Sequence, residues 1–163
     1  KPAYLRLGRK ETPNIASSEL IDPDLFAPIE LGRAQILQGG GDATIIACGY
    51  MVELALRAST ELRNHGIYAG VINMHTIKPL DVDAILTAAT QTGRIVTIEE
   101  GQVAGGLGSA VLEVLAKNDL TPKVKVIGVE DEYGATAETS EQLWNEKGLT
   151  VENIIQKVRQ TLD

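Results

Sequence analysis

Two arginines bracket a glycine near the start of the chain, in Tyr4-Leu5-Arg6-Leu7-Gly8-Arg9. Guanidinium groups bind phosphate or carboxylate through paired N–H donors, and Arg6 and Arg9 at the end of a short strand would suit that task. Spacing alone favours two solvated surface cations. A second candidate is the glycine-rich run Gly101-Gln102-Val103-Ala104-Gly105-Gly106-Leu107-Gly108-Ser109, which leads into a helical pattern. Glycines let backbone N–H groups approach an anion, and the helix adds its positive end. Glu130 or Asp131 then follows at the distance of a ribose-binding acid. The dinucleotide fingerprint is only partly met. The loop is too long for the tight first turn, and Val111 stands where the third glycine should be. The other reading is a glycine loop that brings backbone close to another chain or domain.

Glu99 and Glu100 could share a proton as a paired-carboxylate site would require. Adjacent residues on an extended strand point to opposite faces, however, so a cap on the following loop or helix is the expected role of one of them. His75 stands in a loop with Lys78, and its role stays open; His65 ends a helical pattern and reads as structural. No second His or Cys lies at metal-ligand spacing. Cys48 closes an apolar strand and reads as a small buried hydrophobe rather than a nucleophile. No Ser, His and acid combination has a local context such as G-x-S-x-G.

Alternating strands and helices must position these groups. Ala3 to Leu7 alternates as a short strand should, and Gly8 to Pro28 reads as a linker. Arg33 to Gln38 and Ala43 to Cys48 are strands joined by Gly39-Gly40-Gly41-Asp42, a pattern that predicts a hairpin. The apolar residues Val52, Leu54, Ala55, Ala58 and Leu62 repeat at helical spacing up to a glycine stop at Gly66. Tyr68 to Asn73 is a buried strand. Asp81 caps a helix over Val82 to Thr92, with Gly93 as its stop. Arg94 to Ile98, Leu107 to Lys117 and Val124 to Val129 follow as strand, helix and strand. Helices near Glu141 to Lys147 and over Val151 to Leu162 close the chain, the last capped by Thr150. Such alternation predicts a largely parallel sheet covered on both faces, with ligands outside the carboxyl ends of its strands. The domain reads as residues 29–163, with residues 1–28 belonging to something upstream.

Composition agrees with that class and excludes others. The chain has 163 residues and only 4% aromatics, so its core must be built from Ala, Val, Ile and Leu. A formal net charge of −7 argues against a nucleic-acid partner, which needs clustered Lys and Arg. No apolar run approaches the length of a membrane span, and no signal peptide is evident. The single cysteine allows a reducing compartment. An opening at Lys1 rather than Met reads as a fragment.

Several motifs together resemble the end of a transketolase: the last strand of the pyrimidine-binding domain, then the C-terminal domain. They are Tyr4-Leu5-Arg6-Leu7-Gly8-Arg9, Ala43-Thr44-Ile45-Ile46-Ala47-Cys48-Gly49 and, most telling, Val71-Ile72-Asn73-Met74-His75-Thr76-Ile77-Lys78-Pro79-Leu80-Asp81. Ile95-Val96-Thr97-Ile98-Glu99-Glu100 and Gly105-Gly106-Leu107-Gly108-Ser109-Ala110-Val111 complete the set. The chain is especially similar to split transketolases, whose C-terminal section is a separate polypeptide. 1-Deoxyxylulose-5-phosphate synthases and the β subunits of 2-oxoacid dehydrogenases are related alternatives, and a stand-alone nucleotide- or phosphate-binding regulatory domain is a third.

The resemblance implies a three-layer α/β/α sandwich with a mixed, mostly parallel five-stranded sheet. It implies transfer of a two-carbon ketol unit between sugar phosphates, with thiamine diphosphate and Mg²⁺ in the complete enzyme. Those cofactors are not expected to be held by this chain alone. Residues 1–28 would close the pyrimidine-binding domain and link it to the C-terminal domain at 29–163. Arg9 matches the family's substrate-phosphate arginine; the family's catalytic carboxylate lies upstream, so Glu99 and Glu100 do not take that role. Implied partners are the upstream catalytic domains or a separate N-terminal section, a second copy in a homodimer, and a sugar-phosphate substrate. The setting implied is cytoplasmic, in the pentose phosphate pathway. Gly101 stands where many relatives carry His, and Gly134-Ala135-Thr136-Ala137 replaces a common Gly-x-Ser-Gly pattern.

Overall fold

The computed structural model describes residues 2–8, 14–15, 18–132 and 139–163. Its strands are β1 (Gln35–Gln38), β2 (Ala43–Ala47), β3 (Ala69–Asn73), β4 (Arg94–Gln102) and β5 (Lys123–Val129). Its helices are α1 (Met51–Asn64), α2 (Val82–Thr92), α3 (Leu107–Lys117), α4 (Ser140–Glu146) and α5 (Val151–Leu162). They form one five-stranded sheet in the order β1-β3-β2-β4-β5. The β2–β3, β2–β4 and β4–β5 pairs are parallel, and β1 runs antiparallel to β3.

Period-two alternation along the strands divides the core into two layers. Leu37, Ile45, Val71, Val96 and Ile98 face α1 and α5, where Leu62, Ile154 and Val158 meet them. Ile46, Ile72 and Ile95 face the other way, onto Ile85 of α2 and Val111 of α3. This is the expected three-layer sandwich. Each fully buried aliphatic side chain contributes about 1.5–3 kcal/mol, so the aliphatic core compensates for the scarcity of aromatics.

Helix boundaries follow local chemistry. Asp81 caps α2 by accepting from the Ala84 N–H at 3.1 Å, and Gly93 ends it in the left-handed region at φ 62°. Thr150 caps α5 through the Asn153 N–H at 3.2 Å, and Thr139 with Gln142 forms a capping box on α4. Asp81 also accepts from the Ala34 N–H at 2.8 Å, which ties the approach to β1 to the start of α2.

Two sequence expectations are corrected. The glycine turn does not close a hairpin, because β1 pairs with β3 and β2 lies on the far side of β3. The register places Gln35 opposite Asn73, where the two side-chain amides bond at 2.9 Å. The connection crosses the start of β3, and two glycines make that crossing possible. A Cβ on Gly40 would fall 2.1 Å from the Gly70 nitrogen, and one on Gly70 would fall 3.2 Å from the Gly40 nitrogen. Asp42 clamps the crossing, donating its N–H to Tyr68 O at 3.0 Å and accepting from the Tyr68 N–H at 2.7 Å.

Residues 3–7 are likewise not in a strand. They pair with no strand among the described residues, and Tyr4, Leu5 and Leu7 are 89%, 78% and 77% exposed. Alternation supplies a sheet face but not the neighbouring backbone a ladder requires. The outer edge of β1 is already engaged: Asp22 donates its N–H to Leu37 O at 2.8 Å, and Gln38 Nε2 donates to Leu20 O. Leu20, Ile21 and Phe26 pack on the α1/α5 layer, so this segment straps the edge of the sheet.

Candidate functional site

β2, β3, β4 and β5 all end on one edge of the sheet, and the sequence candidates gather there. β4 runs four residues past the expected Ile98, with a register shift before Gln102. This extension carries both glutamates. Ile98 packs on the α1/α5 side, so Glu99 points to the α2/α3 side and Glu100 away from it.

Glu99 is 5% exposed, and its carboxylate spans the first turn of α3. Oε2 accepts from the Leu107 N–H and Oε1 from the Gly108 N–H, each at 2.9 Å. Two charge-assisted bonds and the positive helix end offset the desolvation of the carboxylate. Glycine clears the space for it. A Cβ on Gly106 would sit 2.0 Å from Glu99 Oε2, and one on Gly128 would sit 3.2 Å from Glu99 Cγ. Ser109 Oγ donates to Val103 O at 2.7 Å and accepts from the Gly105 N–H at 3.0 Å, which closes the loop on itself.

This geometry corrects the phosphate-cradle reading of the glycine loop, and with it the dinucleotide and stand-alone nucleotide-site readings. The donors that would meet an external anion are taken by the chain's own carboxylate. Glu130 and Asp131 are exposed beyond the end of β5. The capping role foreseen for one glutamate falls to Glu99.

Glu100, on the opposite face, lines a cleft of about 250 Å³ with Arg6, Val129, Leu143, Trp144 and Lys147. A Cβ on Gly49 would come 3.2 Å from Glu100 Oε2, so the tight turn after β2 (φ 61°) leaves room for that carboxylate. Lys147 Nζ donates to Glu132 Oε2 at 2.7 Å along one wall. The Trp144 ring packs on Tyr50 with centroids 4.3 Å apart and planes tilted by 32°. Sequence reasoning missed Trp144 and Lys147 as parts of this cleft. The one signal available was a single tryptophan in a chain poor in aromatics.

The remaining candidates separate. Cys48 follows β2 beneath the glutamates, and its thiol is pushed up to about 12 by burial first, then by Glu99 and Glu100, against a smaller opposing effect of Arg6. Such a thiol stays protonated and is a poor nucleophile. His75 bonds Thr76 Oγ1 through Nδ1 at 2.8 Å, and its Nε2 is buried without a partner. His65 is an exposed C-cap of α1. Among the described residues no group of three or more His, Cys, Asp or Glu could hold a metal ion. Arg9 and the 134–137 departure lie outside the described residues. Arg6 lies within them, its Nη1 3.7 Å from where a Cβ on Gly101 would be.

The sequence model described as "Transketolase, C-terminal domain" matches residues 32–154. The chain belongs to that family. Its relatives include transketolase subunits about twice its length and synthases longer still. It is 41% identical over 162 residues to a 6-deoxy-6-sulfo-D-fructose transketolase subunit of Clostridium sp. (strain MSTE9), covering 99% of this chain and 48% of the relative. It is 44% identical over 135 residues to a 1-deoxy-D-xylulose-5-phosphate synthase of Trichormus variabilis, covering 83% of this chain and 21% of the synthase. Among solved structures, a split-gene transketolase described as an inactive β4 tetramer superposes with a TM-score of 0.83 at 39% identity, covering 96% of this chain and 48% of that one. This transketolase C-terminal domain thus spans about half of the subunits it matches and about a fifth of the synthases.

Proposed function

We propose that the chain is the C-terminal part of a transketolase-type, thiamine-dependent enzyme that moves a two-carbon ketol unit between sugar phosphates. The observation that carries this reading is the alignment with a transketolase subunit along 99% of the chain. That alignment takes in the opening segment, whereas the synthase alignments cover 83–84% of the chain. The opening segment is where the resemblance places the phosphate-gripping Arg9, so a ketol transferase is favoured over a synthase.

In this reading residues 1–28 close an upstream pyrimidine-binding domain and link it to the domain at 29–163. The C-terminal domain braces the catalytic domains and meets a second copy of itself. The setting is cytoplasmic and the pathway that of the pentose phosphates. Arg9 contributes a planar, permanently charged donor pair to the substrate phosphate.

Thiamine diphosphate, with Mg²⁺, supplies the electron sink when bound in the complete enzyme. The described residues of this chain do not fit that group. The glycine-rich helix start that could meet a diphosphate is filled by Glu99. We therefore assign the cofactor to the upstream domains and derive no step through it here. The test is reconstitution with the missing N-terminal portion and a coupled assay of ketol transfer. Activity that appears only on mixing supports the reading. Condensation of pyruvate with an aldose phosphate in its place would assign the chain to the synthases.

A further inference from the structure

The two edges of the sheet are finished differently. The segment around Leu20 and Asp22 straps the outer edge of β1, whereas β5 pairs with β4 alone. The direction of its backbone groups follows from two hydrogen bonds. Lys123 donates its N–H to Gly93 O at 2.9 Å, and Val129 O accepts from the Val103 N–H at 3.0 Å. The backbone groups of a strand alternate in direction, so Lys123, Lys125, Ile127 and Val129 turn theirs toward β4. The N–H and C=O of Val124, Val126 and Gly128 therefore point outward, and they have no partner among the described residues. Such a row is a template for another strand. Apolar surface adjoins it. Val124 and Val126 are half-buried, and Leu112, one turn along α3 from the Gly108 that abuts Val126, is 44% exposed.

Charge decides what fits this edge. Lys123 and Lys125 open β5, and the exposed Glu130 and Asp131 follow its end. The strand is thus positive at one end and negative at the other, which an identical strand matches only when it runs antiparallel. A twofold axis through Val126 places Val126 opposite itself and Val124 opposite Gly128, with their free N–H and C=O groups facing. Lys125 then stands opposite Ile127 and Lys123 opposite Val129, with Asp131 of the second copy next along the same face. No two lysines are directly opposed. We propose that the outer edge of β5 is a self-association surface, at which a second copy of this chain pairs antiparallel about Val126 and joins the two five-stranded sheets into one. The α3 helices of both copies then lie on one side of the joined sheet, near the seam. This gives the second copy invoked above a place on the domain, and it holds whether or not the enzyme is a ketol transferase.

Sedimentation velocity of the 163-residue chain should show a dimer that dissociates on dilution. Lys123→Glu and Asp131→Lys should each weaken it about tenfold, since every contact occurs twice about a twofold axis, and the double variant should restore it. Hydrogen exchange locates the seam: the amides of Val124, Val126 and Gly128 should exchange more slowly in the dimer than in dilute protein. Val126→Pro removes an outward N–H and leaves the bonds to β4 in place, so it should give a monomer with unchanged circular dichroism. A chain that stays monomeric at every concentration would overturn the pairing and leave the lysines as guards of a bare edge. A dimer in which those three amides exchange at the dilute rate would overturn it as well, by moving the contact to another face. Neither result bears on the reconstitution assay, which alone decides the ketol-transferase reading.

Discussion

Glu99 shows how one side chain can decide what a loop is for. A carboxylate inside the fold is tolerated because two backbone N–H groups at a helix start replace its water. Glu99→Ala would leave those donors buried and unpaired, at a cost of about 2–4 kcal/mol. Glu99→Gln keeps one acceptor and should cost about half as much. Urea midpoints of the two variants check the order. Cys48, next to it in space, makes stability depend on alkaline pH. Burial favours the neutral thiol in the folded chain, so its contribution is complete below the ordinary value of 9.0 and is lost as pH rises from there towards about 12. Cys48→Ala should flatten the fall in stability that sets in above about pH 9, measured by urea unfolding at each pH.

The edge strand β1 carries the lesson at the scale of elements. Neighbouring strands joined by glycines pair in most proteins, which is why a hairpin was the natural expectation. Here the turn must pass over β3, and only two hydrogens fit between the crossing backbones at Gly40 and Gly70. The neighbouring glycine in the same turn provides the control, because a Cβ on Gly41 meets nothing within 4 Å. Gly40→Ala should destabilise by about 2 kcal/mol or more, and Gly41→Ala by less than about 1 kcal/mol. A pair of thermal melts decides it; equal shifts would refute the crossing as the cause. The helices needed no such correction. Their apolar periodicity and their caps Asp81, Thr150 and Gly93 are local signals, and α2, α3 and α5 occupy the expected residues.

For the whole molecule, the family assignment and the internal carboxylate cap lead to one expectation. A transketolase C-terminal domain whose glycine-rich helix start is already filled should not hold a diphosphate by itself. Titration calorimetry of the isolated chain with thiamine diphosphate and Mg²⁺ should give no binding heat, and micromolar binding would contradict the assignment of the cofactor upstream. The acidic balance of the chain, −7 overall, is compatible with an arginine-based phosphate contact only because two arginines are concentrated in one short segment.

Read alone, the 163 residues determined the class of the fold, most element boundaries, the family resemblance and the capping role of one glutamate, since each is written in local periodicity, capping chemistry or short motifs. The tertiary structure decided which strand β1 joins, that residues 3–7 have no ladder partner among the described residues, that the glycine loop is occupied from within, and that Arg6, Glu100 and Trp144 share a cleft. These depend on residues far apart in the chain coming within a few ångströms. Periodicity tells a side chain which face of its own element it occupies; it does not tell it what stands opposite.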